Sequence, residues 1–449
     1  MKTVSRIILT AALAFAAAAC ERPDIQPEPA PEPAREAKPE VDAALWSQTV
    51  PVEILTDVQE EAYYKDVFMD GGISLTSRKR LPACEKYDIS LEIFNGETIS
   101  ADSVAQAAVF VGSSVDHNGI LLFPDGAPRF KMIYTCGGSS STHGESMGEA
   151  GRNAIRKFNA AGGSYLGSCA GAFLAAARRS GDFIPQYYGI WPGNATPSGL
   201  TKSSTGIFIE PGSPLLKYFD YGGDMYVDSV RHNGGCYVTS LDIVPGTEIL
   251  SRYDRSDKGM HLNGAVWAWK ENIHVGRVIS CGSHPEEVED GERRDYFAAM
   301  LYYAMEGRGT AKVKKALGNG EIFKANKDSE DNDPLHAKIG DGQQHNFVAG
   351  IPKNARNIKV KLEYTGNYDI CLLMNKGTFA FESIAQYRAD SASGRKELSF
   401  DSLEEGTWYI GVHNNSRPKV EVGNHGLCQY TGQTELLNGI SYTLTVSWE

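Results

Sequence analysis

Of the eight cysteines in this 449-residue chain, one stands between two glycines, in Gly167-Ser168-Cys169-Ala170-Gly171. The short apolar run SYLGS leads into it and the alanine-rich run AGAFLAAARRS leads away. This is the form of a nucleophile elbow, where a strand turns sharply into a helix. The flanking glycines relieve crowding at a strained backbone, the side chain projects above the sheet, and the next N–H points toward the group under attack. A thiol at the start of a helix also faces its positive end, which favours the thiolate. The chemistry this allows is covalent attack on an acyl carbon. With 47 glycines in the chain, GxCxG alone is a modest signal; the strand before it and the helix after it give it weight.

A cysteine nucleophile needs a base, and the base needs a group that orients it. The segment HVGRVISCGSHPEEVEDGERRDYFAAMLYYAM reads as a strand over residues 277–280, a turn, and a helix. His284, Pro285 and Glu286 occupy the turn. The proline stiffens it, and a histidine and a glutamate two apart on an extended turn can hydrogen-bond at the carboxyl end of a strand. His232, His143 and His117 are the competing bases, each in a loop context with no carboxylate at comparable spacing and no strand to place it.

These groups have to be positioned by a scaffold. Between about Leu45 and Arg308, short apolar strands alternate with helical patterns: VPVEILTD, ISLEIFNG, AAVFVG and RFKMIYTCGG as strands, then GESMGEAGRNAIRKFNAAGG as a helix, SYLGS as a strand, and AGAFLAAARRS as a helix. Met147, Ala150, Ala154, Ile155 and Phe158 recur at helical spacing, with Arg152, Arg156 and Lys157 free for the exposed face. Gly162 and Gly163 end that helix. Such alternation predicts an α/β fold with a doubly wound parallel sheet, whose sites lie at the carboxyl ends of the strands. The insertion IFIEPGSPLLKYFDYGGDMYVD is expected to shape one wall of the pocket. From about Thr310 the rhythm changes. HNFVAGI, NIKVKLEYTG, YDICLLMNKG, GTWYIGVHNN and ISYTLTVSWE are short segments separated by Gly, Asn and Asp, with no convincing helix beyond the basic stretch near 312–317; they predict a small antiparallel β-sandwich.

A strand ending in Gly-Gly, a GxCAG elbow and a late His-Pro-Glu, in that order, resemble the class I glutamine amidotransferase-like superfamily. The nearest resemblance is to the N-terminal domain of biotin protein ligases. It rests on CGG at 136–138, GEAGRNAIRKFNAAGGSYLGSCAGAF at 148–173, GIWPGNA at 189–195, RHNGGCYV at 231–238 and SCGSHPE at 280–286. The resemblance implies a flavodoxin-like sheet over 45–309, with Cys169 as nucleophile, His284 as base and Glu286 as its orienting carboxylate. It implies an oxyanion hole from the amides of Gly138 and Ala170, and a pocket bordered by Gly137, Asn233, Gly234 and Gly235. No biotin-ligase catalytic domain follows, so ligase activity is not implied. Residues 310–449 resemble the bacterial pre-peptidase C-terminal domain, an accessory sandwich often appended to secreted hydrolases.

The ends and the composition bound the setting. MKTVSRIILTAALAFAAAAC has a basic start, an apolar run too short to span a bilayer, and small residues before Cys20, resembling the lipobox of an exported bacterial lipoprotein. Residues 1–19 would then be a signal peptide and Cys20 the acylated anchor, on a membrane of the cell envelope facing periplasm or exterior, the outer membrane favoured over the inner. Residues 20–44, rich in Pro, Glu and Ala, read as a tether. A net charge of −12, with no basic cluster beyond SRKR at 77–80, argues against nucleic acid. No zinc-type Cys/His spacing and no phosphate-binding glycine loop occurs, so neither metal nor cofactor is expected. Setting Cys20 aside leaves seven cysteines, so at least one thiol stays free. Cys371 and Cys428 are a possible disulfide pair within the sandwich.

These readings converge on hydrolysis of an amide or peptide bond in a small molecule or peptide. Ammonia transfer is disfavoured, because it usually serves an ATP-consuming synthase and the chain carries none. The alternative is a surface binding protein for glycan, peptide or cell-wall material, in which the elbow persists as fold. A disulfide from Cys136, Cys236 or Cys281 to Cys169 would favour that alternative.

Overall fold

A computed structural model of the protein describes residues 50–76, 79–95, 103–390, 394–422 and 428–449. The expected signal peptide and tether, with Cys20, lie outside the described residues. Nine strands build the large sheet: β1 (Lys65–Gly71), β2 (Leu91–Asn95), β3 (Phe130–Thr135), β4 (Ser164–Ser168), β5 (Ser203–Ile209), β6 (Tyr226–His232), β7 (Thr247–Asp254), β8 (Gly264–Trp269) and β9 (Val278–Cys281). Their order is β2-β1-β3-β4-β9-β8-β7-β5-β6. The strands from β2 to β9 run parallel, and β8, β7, β5 and β6 are added antiparallel. The sheet is therefore mixed rather than a wholly parallel, flavodoxin-like one. Part of the physical reason lies in the connections: the loop 255–263 between β7 and β8 is shorter than a parallel crossover needs, so the chain returns antiparallel there.

Helices α1 (Pro82–Lys86), α2 (Ser103–Val111), α3 (Ser140–Ser146), α4 (Gly148–Ala160), α5 (Ala170–Ala175) and α6 (Gly291–Glu306) accompany this sheet. In α4 the expected stripe holds at Ala154, Ile155 and Phe158, which are buried, and at Met147, buried just before the helix, but Ala150 is exposed; each large apolar side chain so buried contributes about 1.5–3 kcal/mol. The insertion after β5 forms two short turns, Pro214–Lys217 and Tyr221–Gly223, that pack on α6 through Tyr218–Tyr302 and Tyr221–Tyr296 ring contacts.

Three local expectations fail. VPVEILTD is not a strand: its backbone pairs with side chains, Glu53 N–H with Thr407 Oγ1, Leu55 N–H with Tyr409 Oη, and Glu53 C=O with Tyr409 O–H. The first strand is instead β1, a continuously buried run that alternation does not flag. AAVFVG lies in helix α2, where the buried Gln106 and Phe110 are one turn apart. AGAFLAAARRS is helical only to Ala175; Ala176–Arg179 is a strand of a small separate sheet beside Trp191–Pro197.

The C-terminal strands form two facing sheets. One orders Val313–Ala316, Gln344–Ile351, Gly406–Asn414, Ile370–Lys376 and Tyr387–Ala389; the other orders Ile322–Ala325, Tyr442–Ser447, Ile358–Tyr364 and Arg395–Phe400. All five expected segments are strands. The basic stretch near 312–317 is the edge strand Val313–Ala316, which pairs parallel to its neighbour. Phe347, Val360, Leu362, Leu372, Ile410 and Leu444 fill the space between the sheets, apart from the core of the large sheet. Cys371 carries a free thiol.

Candidate active site

Parallel register brings the site together. Thr135 of β3 is level with Gly167 of β4, and Ser168 of β4 with Cys281 of β9. The three chains therefore leave the sheet at one edge, carrying Gly137 and Gly138, Cys169, and His284 respectively. The Cys169 N–H donates to the Cys281 carbonyl at 2.8 Å, which fixes the first turn out of β4.

Cys169 has φ 48° and ψ −101°, a strained conformation for a residue with a side chain, immediately before α5. The glycines around it are required by contact. A Cβ on Gly167 would run into the backbone of Gly171, and one on Gly171 into the Thr135 carbonyl. Strand and helix can therefore approach closely only with glycine at both positions.

His284 Nδ1 lies 3.0 Å from Glu286 Oε1. A carboxylate must accept, so Nδ1–H donates and Nε2 is left for the Cys169 thiol, with which the ring makes a side-chain hydrogen bond. Burial alone would lower the His284 pKa. The Glu286 carboxylate and the Cys169 contact outweigh it and hold the group up at about 10. Glu286 is buried and also accepts from Ser168 Oγ at 3.3 Å, which in turn meets Tyr134 Oη at 2.8 Å. Gly137 lies so close to His284 that an added Cβ would collide with the imidazole and stand 3.3 Å from Cys169 Cβ.

Ala170 is the first residue of α5, where helix amides have no partner within the helix. Gly138, at φ 144°, bridges to Leu75 through Thr76 N–H to Gly137 C=O (2.6 Å) and Ser139 N–H to Ser74 C=O (2.8 Å). In that pattern the Gly138 N–H is not one of the bridging donors. Gly138, Asn233 and Gly234 are exposed, while Cys169 is 4% exposed. The Asn233 carbonyl accepts from Cys169 Sγ at 3.5 Å, its side chain accepts from Lys202 N–H at 3.0 Å, and Gly234 N–H donates to the Leu200 carbonyl at 2.7 Å. Gly235 is buried against Gly282. All the expected site residues except Cys20 thus lie on the segments leaving this edge or on the loop beside it.

The rival histidines have other partners. His232 does sit on a strand, at the end of β6, between Ser198 Oγ (2.7 Å) and Ser283 Oγ (3.0 Å); burial and the neighbouring His284 push its pKa down to about 4. His143 has a carboxylate after all, Asp70, whose Oδ2 is 3.2 Å from Nε2. Asp70 comes from β1 and lies 73 residues away in sequence, beyond the reach of any local spacing rule. His117 Nδ1 stands 3.9 Å from Glu330. Cys136, Cys236 and Cys281 are buried, and Cys169 carries a free thiol, so the nucleophile position is not closed by a disulfide. Among the described residues no cluster of His, Cys, Asp and Glu could hold a metal.

No protein-family profile matches the chain, and no curated protein sequence matches it. Among solved structures, a glutamine amidotransferase aligns at 16% identity and TM-score 0.30, covering 45% of this chain and 92% of its own. The pre-peptidase C-terminal domain of a collagenase from Bacillus anthracis aligns at 13% identity and TM-score 0.20, covering 31% of this chain and all of its own. Likeness at these scores assigns no family, and the site stands on its own geometry.

Proposed function

We propose that this protein is a cysteine-dependent hydrolase of an amide or peptide bond. One arrangement carries the reading: a thiol at a strained elbow, hydrogen-bonded to a histidine whose other nitrogen is held 3.0 Å from a buried glutamate. The thiol proton already rests on His284, whose pKa is held up at about 10, and the Cys169 sulfur attacks the carbonyl carbon of the substrate. The carbonyl electron pair moves to oxygen, where the amides of Gly138 and Ala170 receive it. On collapse the C–N bond breaks and His284 hands its proton to the leaving amine. Water then attacks the thioester and releases the acid and the free thiol. The reading needs no cofactor and no nucleic-acid partner.

In this proposal Gly137, Asn233, Gly234 and Gly235 border the bound amide. Residues 1–19 direct export, lipidated Cys20 and the 20–44 tether hold the enzyme to the cell envelope, 45–309 carry the site, and 310–449 serve as an accessory sandwich. The test is a screen of amide and peptide substrates with full-length protein. Turnover lost in Cys169→Ala supports the proposal; turnover retained in that variant overturns it.

A further inference from the structure

One buried polar cluster has no part in the mechanism above. His143 and Gln106, both fully buried, meet at the carboxyl end of β1 and grip the backbone of a single residue, Ile73, through the two peptide units on either side of it. Gln106 Oε1 accepts from the Ile73 N–H, and His143 Nδ1 donates to the Ile73 carbonyl at 2.9 Å. Ile73 is the second residue of a tight turn, Gly72 to Leu75, closed by Leu75 N–H to Gly72 C=O at 3.0 Å. The third residue, Ser74, is at φ 64°, a conformation suited to glycine. A strained turn of this kind persists only where its surroundings over-determine it.

The clamp is itself built on fixed parts. Asp70 Oδ1 accepts from Gly72 N–H at 3.0 Å, and its Oδ2 faces His143 Nε2 within ion-pair distance but off the line of a hydrogen bond. Tyr188 Oη stands 3.0 Å from His143 Nε2, and Gln106 Nε2 donates to Ser146 Oγ at 2.6 Å. A Cβ on Gly72 would strike Gln106, His143 and Asp70 together, so the turn sits directly on the cluster. On its far side the turn's Ser74 carbonyl, and the N–H of Thr76 just after it, hold Ser139 and Gly137, the neighbours of Gly138.

We propose that His143 and Gln106, backed by Asp70, are positioning residues that set the direction of the Gly138 amide by holding the strained 72–75 turn behind it. This rests on the reading of Gly138 as an oxyanion donor. Neither side chain touches the substrate; they act through the backbone of Ile73 and Ser74.

The experiment separates reactions of Cys169 that do and do not form an oxyanion. With p-nitrophenyl acetate, the thiolate attacks the ester carbon, an oxyanion forms, the C–O bond breaks, and p-nitrophenolate leaves with the electron pair while acetate stays on sulfur. With iodoacetamide, sulfur displaces iodide at carbon and no oxyanion forms. Both rates are read on full-length protein, the first from the nitrophenolate burst and the second by site-resolved mass spectrometry. His143→Ala and Gln106→Ala are expected to slow acylation ~10-fold or more, a fraction of what loss of an oxyanion donor costs, with alkylation within about two-fold of the parent. His143→Asn, whose amide N–H can replace the Nδ1 donor, is expected to restore acylation. Equal loss of both rates, or no change in acylation, overturns the proposal. A parent protein that is alkylated at Cys169 but never acylated overturns the oxyanion-hole reading itself, and the two failures are thereby distinguishable.

Discussion

His284 Nδ1 and Glu286 Oε1 stand 3.0 Å apart across a single proline, at the point where β9 has just left the sheet. The His284 N–H is tied to the Arg231 carbonyl at 2.8 Å, so the imidazole is held by its backbone as well as by its carboxylate. Pro285 fixes the turn between the two side chains, and both are buried. The consequence is a histidine that stays protonated far above its ordinary range.

Replacing Glu286 tests that consequence. Burial lowers the His284 pKa and the carboxylate raises it, so Glu286→Gln leaves burial less opposed. The imidazole titration is expected to fall from about 10 by more than one unit, read by NMR of the ring protons.

The same shift predicts a pH-dependent stability. A histidine whose folded pKa is raised from 6.5 to about 10 contributes stability that is fully present below pH 6.5 and lost as pH rises through about 10. Urea denaturation of the parent and His284→Gln is therefore expected to show a stability difference that shrinks across that window. A difference that grows with pH contradicts the assignment.

Gly137→Ala probes the close approach behind the histidine. The added Cβ would strike the His284 ring, so the base is displaced while the fold remains. Acylation by p-nitrophenyl acetate is expected to fall at least ~100-fold, the scale of a lost general base, with the circular dichroism unchanged.

Arg129 makes a separate prediction about stability. It is fully buried, 3.2 Å from Asp116 and 2.8 Å from Asp341, and so links the strand region of the large sheet to the sandwich segment. Arg129→Met strands two carboxylates out of water and is expected to cost about 3–5 kcal/mol in denaturant unfolding.

The parts of the site legible in sequence are those whose signal is local. The elbow is written in the glycines on either side of Cys169, and the His284–Glu286 pair in two positions of one turn. The antiparallel strands of the sandwich are likewise local runs bounded by turn residues. What escaped was set by register. Asp70, Gln106 and His143 meet from three distant segments because β1 pairs with β3, Asp70 level with Thr135, and no spacing rule reports that. β1 itself was hidden because its buried run carries no alternation, whereas VPVEILTD alternates well and yet gives its hydrogen bonds to Thr407 and Tyr409. The mixed sheet escaped for a related reason: hairpin strands such as β7 and β8 have the same apolar composition as parallel ones.

The most direct test of the Cys169–His284 site is site-resolved mass spectrometry of full-length protein treated with iodoacetamide between pH 5 and 9, comparing the parent with Cys169→Ser and His284→Ala. The account predicts selective modification of Cys169 at and below neutral pH, absent in the first variant and slowed ~10-fold or more in the second. Modification spread over the other cysteines, or a Cys169 rate indifferent to His284, would contradict it.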